Sequence, residues 1–88
     1  MKVLVLYRSH SEHGRVVEEY IHDFQHRYNE LKMETLDVDT RDGSATATLY
    51  DVVQYPALLV VQTDGYLHKS WEGGVLPLMD EVAAYARV

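Results

Sequence analysis

The chain has 88 residues, 47% of them hydrophobic, and its 8 Lys and Arg against 14 Asp and Glu give a formal net charge of −6. This length predicts one small domain over residues 1–88 with a modest core. The net negative charge, with basic residues scattered along the chain, argues against nucleic-acid binding. The absence of cysteine excludes disulfides, thiolate metal sites and cysteine nucleophiles within these residues.

The apolar runs are too short to cross a membrane. The longest, Val3–Tyr7 and Ala57–Val61, fall far below the roughly 20 residues that a spanning helix needs. The residues after Met1 also lack the apolar stretch and small-residue cleavage site of a signal peptide. We therefore expect no membrane association and a cytoplasmic location.

The first part of the chain predicts a strand, a helix and a second strand. Residues 2–7 form a nearly continuous apolar run rich in Val and Leu, which is typical of a buried strand. Residues 12–28 carry apolar side chains at helical spacing, and Ser9 or Ser11 is the expected helix cap. Residues 32–38 alternate only partially, which favours a strand at the edge of a sheet.

The remaining residues predict a helix, a hairpin and a final helix. A short helix is expected over residues 43–52, after a loop-like stretch. Residues 57–62 read as a strand buried on both faces, and a Thr-Asp-Gly turn leads to a return strand over 66–71. A last helix is expected over 77–87, because Pro77 suits the first turn of a helix.

The order of elements is therefore βαβαββα, which predicts an α/β fold. A strand–helix–strand opening forms a right-handed parallel crossover, and the hairpin adds an antiparallel strand. We expect a four-stranded mixed sheet in the order 2-1-3-4, with helices on both faces. This arrangement resembles the thioredoxin fold.

The most specific local resemblance to the thioredoxin superfamily lies between Ala47 and Gly65. Within it, Tyr50, Val52 and Pro56 fall where the family has a Tyr-x-Val segment and then a proline that opens an apolar strand. The resemblance implies that the Tyr55–Pro56 peptide bond is cis and lies beside the redox motif that follows the first strand. It implies a fold more than a function.

The redox motif is where this sequence departs from the family. The segment aligned with Cys-x-x-Cys is Ser11-Glu12-His13-Gly14, so both cysteine positions are occupied by other residues. Dithiol exchange needs a thiolate, so that activity is excluded for this chain. If the alignment holds, cysteines introduced together at Ser11 and Gly14 should form a disulfide.

The leading hypothesis is a non-redox binding module rather than an enzyme. Family members pair an extended peptide in the groove beside the cis-proline, and this recognition does not require thiols. A neutral or basic peptide or protein segment is the expected partner, because the chain is acidic. The predicted binding residues are Ser11, Glu12, His13, Gly14, Tyr55 and Pro56.

Two alternatives stay open. One is a degenerate glutaredoxin-like enzyme or small-molecule-binding protein with a non-cysteine site, since Gly73–Gly74 resembles the turn with which glutaredoxins hold glutathione. Val75 and Leu76 follow that turn where the family has a polar and acidic pair, which argues against glutathione. The other alternative is a structural homodimer subunit paired through an edge strand or a helix face.

Neither a catalytic triad nor a metal site is predicted. Ser11 and His13 stand too close in sequence at a helix start to form a relay with Glu12, so a helix-capping serine is expected instead. His22 and His26 have the i, i+4 spacing of metal ligands, but no further strong ligand accompanies them. We expect no cofactor and no bound metal.

Overall fold

The computed structural model describes residues 1–87, and Val88, the last residue of the predicted domain, lies outside that range. Within it, strands and helices follow one another in the predicted order. The strands are β1 (Lys2–Tyr7), β2 (Met33–Asp37), β3 (Ala57–Val61) and β4 (Leu67–Glu72), and the helices are α1 (Gly14–Arg27), α2 (Arg41–Leu49) and α3 (Met79–Ala86).

The four strands form one mixed sheet in the order β2-β1-β3-β4, which confirms the predicted topology. Strand β1 pairs in parallel with β2 and antiparallel with β3, and β3 pairs antiparallel with β4. The two central strands are the ones with continuous apolar runs, because both of their faces are covered. Leu6 lies opposite Ala57, so the end of β1 is beside the start of β3.

Alternate side chains of β1 enter two separate cores, one on each face of the sheet. Val3 and Val5 are fully buried in the core that also contains Phe24 of α1. Leu4 and Leu6 belong to the core on the opposite face, which includes Ala47 of α2. The pleat of the strand dictates this division, and it confirms that helices cover both faces.

Helix α1 begins at Gly14, two residues later than predicted, and the expected serine cap is wrong. The residue at the cap position is His13, whose side chain makes no capping hydrogen bond. The Ser9 hydroxyl donates to the Asp37 carboxylate and the Ser11 hydroxyl to the Arg8 carbonyl, and among residues 1–87 neither accepts an N–H of the first helical turn.

Helix α2 begins two residues earlier than predicted and ends at Leu49. Its cap is Thr40, whose hydroxyl accepts the N–H of Gly43 at 3.1 Å. Both ends of β1 and the start of β3 lie where predicted, and the remaining boundaries differ by one or two residues. Among residues 1–87, no helix has the length and apolar character needed to cross a bilayer.

Candidate functional site

The predicted groove lies at the end of the sheet where β1 finishes and β3 begins. The pairing of Leu6 with Ala57 brings the loop after β1 towards the residues that precede β3. Pro56 is buried there and Tyr55 is half-buried, and the peptide bond between them is cis. The topology therefore brings the two halves of the predicted site to the same edge of the molecule.

Two of the predicted residues bind the backbone of Arg8, which folds the loop between β1 and α1 back on itself. The Ser11 hydroxyl donates to the Arg8 carbonyl at 2.5 Å, and the Arg8 N–H donates to Nε2 of His13 at 3.2 Å. Among the described residues, no hydrogen bond joins Ser11 to His13 or Glu12 to either. The loop is thus organised as a support for Arg8, and no nucleophile–base pair is assembled.

Arg8 connects the loop after β1 to Tyr55, and the sequence did not identify it. Its guanidinium carbon lies 5.7 Å from the centre of the Tyr55 ring, within the range of a cation–π contact. Its Nε lies 3.9 Å from a carboxylate oxygen of Asp39. The only signal in the sequence was a basic residue directly after a buried strand, which is too common to indicate a site.

A second contact fixes the loop to the end of β2. The Ser9 hydroxyl donates to the Asp37 carboxylate, whose other oxygen accepts the backbone N–H of Asp39 at 2.9 Å. The hydrogen bond from Ser9, followed by the one from the Asp39 backbone, holds the pKa of the Asp37 carboxyl below its ordinary value. The hydrogen bond between Ser9 and Asp37 joins residues 28 positions apart. It attaches the loop to the end of β2 and not to the segment around Tyr55.

Gly14 is buried, and its position has no room for a side chain. A Cβ built there would lie 2.4 Å from the carbonyl oxygen of Ser9, which is backbone and cannot swing aside. A cysteine at position 14 would meet the same obstacle, so the prediction of a disulfide between positions 11 and 14 is wrong for the native backbone. Close approach of the helix start to the loop therefore requires glycine.

On the other side of the groove, Glu72 and Gly73 hold the segment that leads into Pro56. Oε1 of Glu72 accepts the backbone N–H groups of Val53 at 3.0 Å and Gln54 at 3.3 Å. The N–H of Gly73 donates to the Pro56 carbonyl at 3.1 Å. Glu72 is therefore a positioning residue that sequence reasoning missed, because its partners come from a distant part of the chain.

The backbone of Tyr55 remains free between these anchors. Its phenol packs against the core under α2 and donates to the Val52 carbonyl at 3.4 Å. None of the hydrogen bonds formed among residues 1–87 uses the N–H or the C=O of Tyr55. A half-buried residue with two unpaired backbone groups offers hydrogen bonds to an incoming extended segment.

His22 and His26, which have the sequence spacing of metal ligands, belong to no group of metal ligands among residues 1–87. Within residues 1–87, no cluster of three or more His, Asp or Glu side chains has a geometry suited to a metal ion. The spacing along α1 therefore places these two histidines on an exposed polar face without a third ligand.

Comparison with known proteins gives structural but no sequence matches. No protein-family model and no curated protein matches the chain. Thioredoxin O2 from Arabidopsis thaliana is 15% identical with a TM-score of 0.72, covering 98% of this chain and 71% of that one. Thioredoxin 1 from Thermosipho africanus is 13% identical with a TM-score of 0.70, covering 99% and 91%. Mitochondrial thioredoxin 3 from Saccharomyces cerevisiae is 14% identical with a TM-score of 0.69, covering 97% and 74%.

Structural similarity at 13% to 15% sequence identity shows a shared fold and gives no information about activity. The similarity extends over nearly all of the 88 residues, in agreement with the strand order and with the placement of helices on both faces. The chain therefore has the thioredoxin fold and carries no Cys-x-x-Cys motif.

Proposed function

We propose that the chain is a non-redox binding module that takes an extended peptide segment in the groove between the Ser11–Gly14 loop and Tyr55–Pro56. The observation that carries the proposal is the free backbone of Tyr55, whose N–H and C=O have no hydrogen-bond partner among residues 1–87. A peptide in extended conformation satisfies both groups through its own backbone. This mode of recognition uses no thiol.

The surroundings of Tyr55 support the proposal because they hold the recognition groups in place before a partner arrives. Glu72 fixes the N–H groups of Val53 and Gln54, and Gly73 fixes the carbonyl of Pro56. Less ordering on binding means that less conformational entropy is lost, so a short peptide is enough for measurable affinity.

The charges at the groove favour a neutral peptide. Arg8 lies against the Tyr55 ring and close to Asp39, so a basic side chain placed at Tyr55 would meet a guanidinium. An acidic side chain there would meet Asp39 and an overall charge of −6. An uncharged extended segment avoids both costs.

The test uses a phage-displayed library of random short peptides, followed by amide hydrogen exchange with the best neutral peptide bound. We expect slower exchange at the Tyr55 amide, because its N–H gains an acceptor. A selected peptide that leaves the exchange at Tyr55 unchanged, or a library that yields no binder, would contradict the proposal.

Two matched pairs of variants sharpen this test. Glu72→Ala should weaken peptide binding because it releases Val53 and Gln54, whereas Glu72→Gln retains an acceptor oxygen and should bind nearly as well as the native chain. Tyr55→Ala should also weaken binding, and Tyr66→Ala serves as its control, since Tyr66 is exposed at the opposite end of β3.

A further inference from the structure

The sheet has an open edge at β2, which pairs only with β1 among the described strands. The N–H of Val3 donates to the Lys32 carbonyl at 3.2 Å, and the N–H of Val38 donates to the Tyr7 carbonyl at 3.0 Å. In a strand, successive residues direct their backbone groups to opposite sides. Because positions 32 and 38 face β1, position 35 faces away from it, and so do its neighbours at 33 and 37.

At each end of this edge one outward backbone group already has a partner, whereas at its centre both groups are free. Oε1 of Gln25 accepts the N–H of Met33 at 3.4 Å, and the carbonyl of Asp37 accepts the N–H of Thr40 at 3.0 Å. Thr35, midway between them, directs its N–H and C=O to the open side without such a partner. The free edge is therefore short and centred on one residue.

A hollow of about 390 Å³ lies between α1 and this edge, next to Thr35. An adjoining hollow of about 440 Å³ shares Glu18 and His22 with it and extends along the outer side of α1. The side chains that line the first hollow are Tyr7, Glu18, Ile21, His22, Gln25 and Thr35.

The charge of these hollows is negative. Glu18, Glu19 and Asp23 supply three carboxylates, against which Arg15 is the lining cation. Arg15 is already paired with Glu19 at 3.4 Å, and Glu18 has only the Tyr7 hydroxyl, at 3.3 Å, as its partner. Glu18 is the carboxylate that lines both hollows, and it has no cationic partner, so it can accept a further donor at the edge of β2.

We propose that the β2 edge binds a basic extended peptide as a fifth strand, with a Lys or Arg side chain in the hollow against Glu18. Backbone pairing at Thr35 provides the attachment, and charge complementarity selects the partner. A second copy of this chain fits less well, because each copy carries a net charge of −6 and would bring further carboxylates to an acidic surface. This site is separate from the groove at Tyr55.

The first test is a titration with a short capped peptide of alternating Lys and Val, followed by amide shifts and hydrogen exchange. We expect the shifts to centre on Thr35, with slower exchange of its amide, and no binding of the counterpart peptide with Glu in place of Lys. Shifts spread evenly over every acidic surface of the chain would overturn the proposal.

Variants distinguish the contribution of backbone pairing to peptide binding from the contribution of charge. Thr35→Pro removes the outward N–H without taking a hydrogen bond from the sheet, so it should abolish binding, and Thr35→Val should retain it. Glu18→Gln should weaken binding by about threefold or more, as expected for a partly exposed ion pair. Glu81→Gln on α3 makes the same chemical change away from the edge and should leave the affinity unaltered.

Two results would count against the proposal. Unchanged binding of the Lys peptide by both Thr35→Pro and Glu18→Gln would show that the edge is not the site. A dimer in sedimentation experiments that Thr35→Val preserves and Thr35→Pro dissociates would assign the edge to a second copy of the chain. If Thr35→Pro fails to fold, Glu18→Gln and exchange at the Thr35 amide decide the question.

Discussion

The guanidinium of Arg8 lies 5.7 Å from the centre of the Tyr55 ring, so the loop after β1 and the residue before Pro56 are in contact. Ser11 and His13, which the sequence suggested as binding residues in this loop, bind the backbone of Arg8. One basic residue therefore carries the connection between the two sides of the groove.

This contact predicts a specific NMR signature. The Arg8 side chain lies over the face of an aromatic ring, so its δ protons should be shifted upfield by the ring current. Tyr55→Leu should return them to ordinary positions, and Tyr66→Leu should not, because Tyr66 lies at the far end of β3. Ordinary Arg8 shifts in the native chain would contradict the contact.

Substitution of Gly14 tests the crowding at the start of α1. Gly14→Ala forces a Cβ to within 2.4 Å of the Ser9 carbonyl oxygen, so the loop or the helix must move. We expect the free energy of unfolding to fall by about 2 kcal/mol, as for overpacked sites, measured by urea denaturation.

Gly74→Ala is the matched control, because nothing lies within 4 Å of a Cβ added there. Its free energy of unfolding should stay within about 0.5 kcal/mol of the native value. Equal denaturation midpoints for the two variants would show that position 14 has room for a methyl group.

The Ser9–Asp37 pair predicts a dependence of stability on pH. The pKa of Asp37 is lowered chiefly by the hydrogen bond from Ser9, so its ionised form is favoured in the folded state. Its contribution is present above the unfolded pKa of about 3.9 and is lost as the pH falls through the lower folded pKa.

Ser9→Ala should therefore raise the pKa of Asp37 towards its ordinary value, as followed by carbon NMR of the carboxyl group. Acid unfolding of this variant should begin at a higher pH than in the native chain. Ser70→Ala, on the opposite edge strand β4, should leave the Asp37 titration unchanged. An unaltered Asp37 pKa in Ser9→Ala would refute the assignment.

Tyr20 predicts a second transition, at alkaline pH. Burial, with a smaller effect from the charge of Glu81, raises the pKa of Tyr20 to about 12, and its hydroxyl donates to the Pro77 carbonyl at 2.8 Å. The neutral phenol is thus favoured in the folded state. Its contribution is complete below the unfolded pKa of about 10 and is lost as the pH rises through the folded pKa.

Tyr20→Phe removes both the titration and the hydrogen bond. We expect a loss of about 1 kcal/mol at neutral pH, together with a smaller decrease in stability at alkaline pH than the native chain shows. Urea denaturation at both pH values measures the difference, and Tyr66→Phe provides the control. A steeper alkaline loss in Tyr20→Phe than in the native chain would be inconsistent with this account.

The sequence by itself determined the elements and their order, because burial patterns along a strand or helix are local. The apolar runs of β1 and β3 identified the central strands, and the crossover rule then led to the observed order of strands. The resemblance carried by the run from Ala47 to Gly65 placed Pro56 directly before the strand that is β3. The absence of cysteine removed thiol chemistry without any coordinates.

Only the tertiary structure decided which partner each polar side chain finds. Serine commonly caps helices, yet the hydroxyl of Ser9 binds Asp37. Glu72 likewise accepts hydrogen bonds from backbone N–H groups nearly twenty positions earlier in the chain. The crowding around Gly14 likewise depends on where the loop passes over the start of α1. Such contacts join segments that are distant in sequence. A hydroxyl or carboxylate binds the nearest suitable group in space, and the periodicity of the sequence does not encode which group that is.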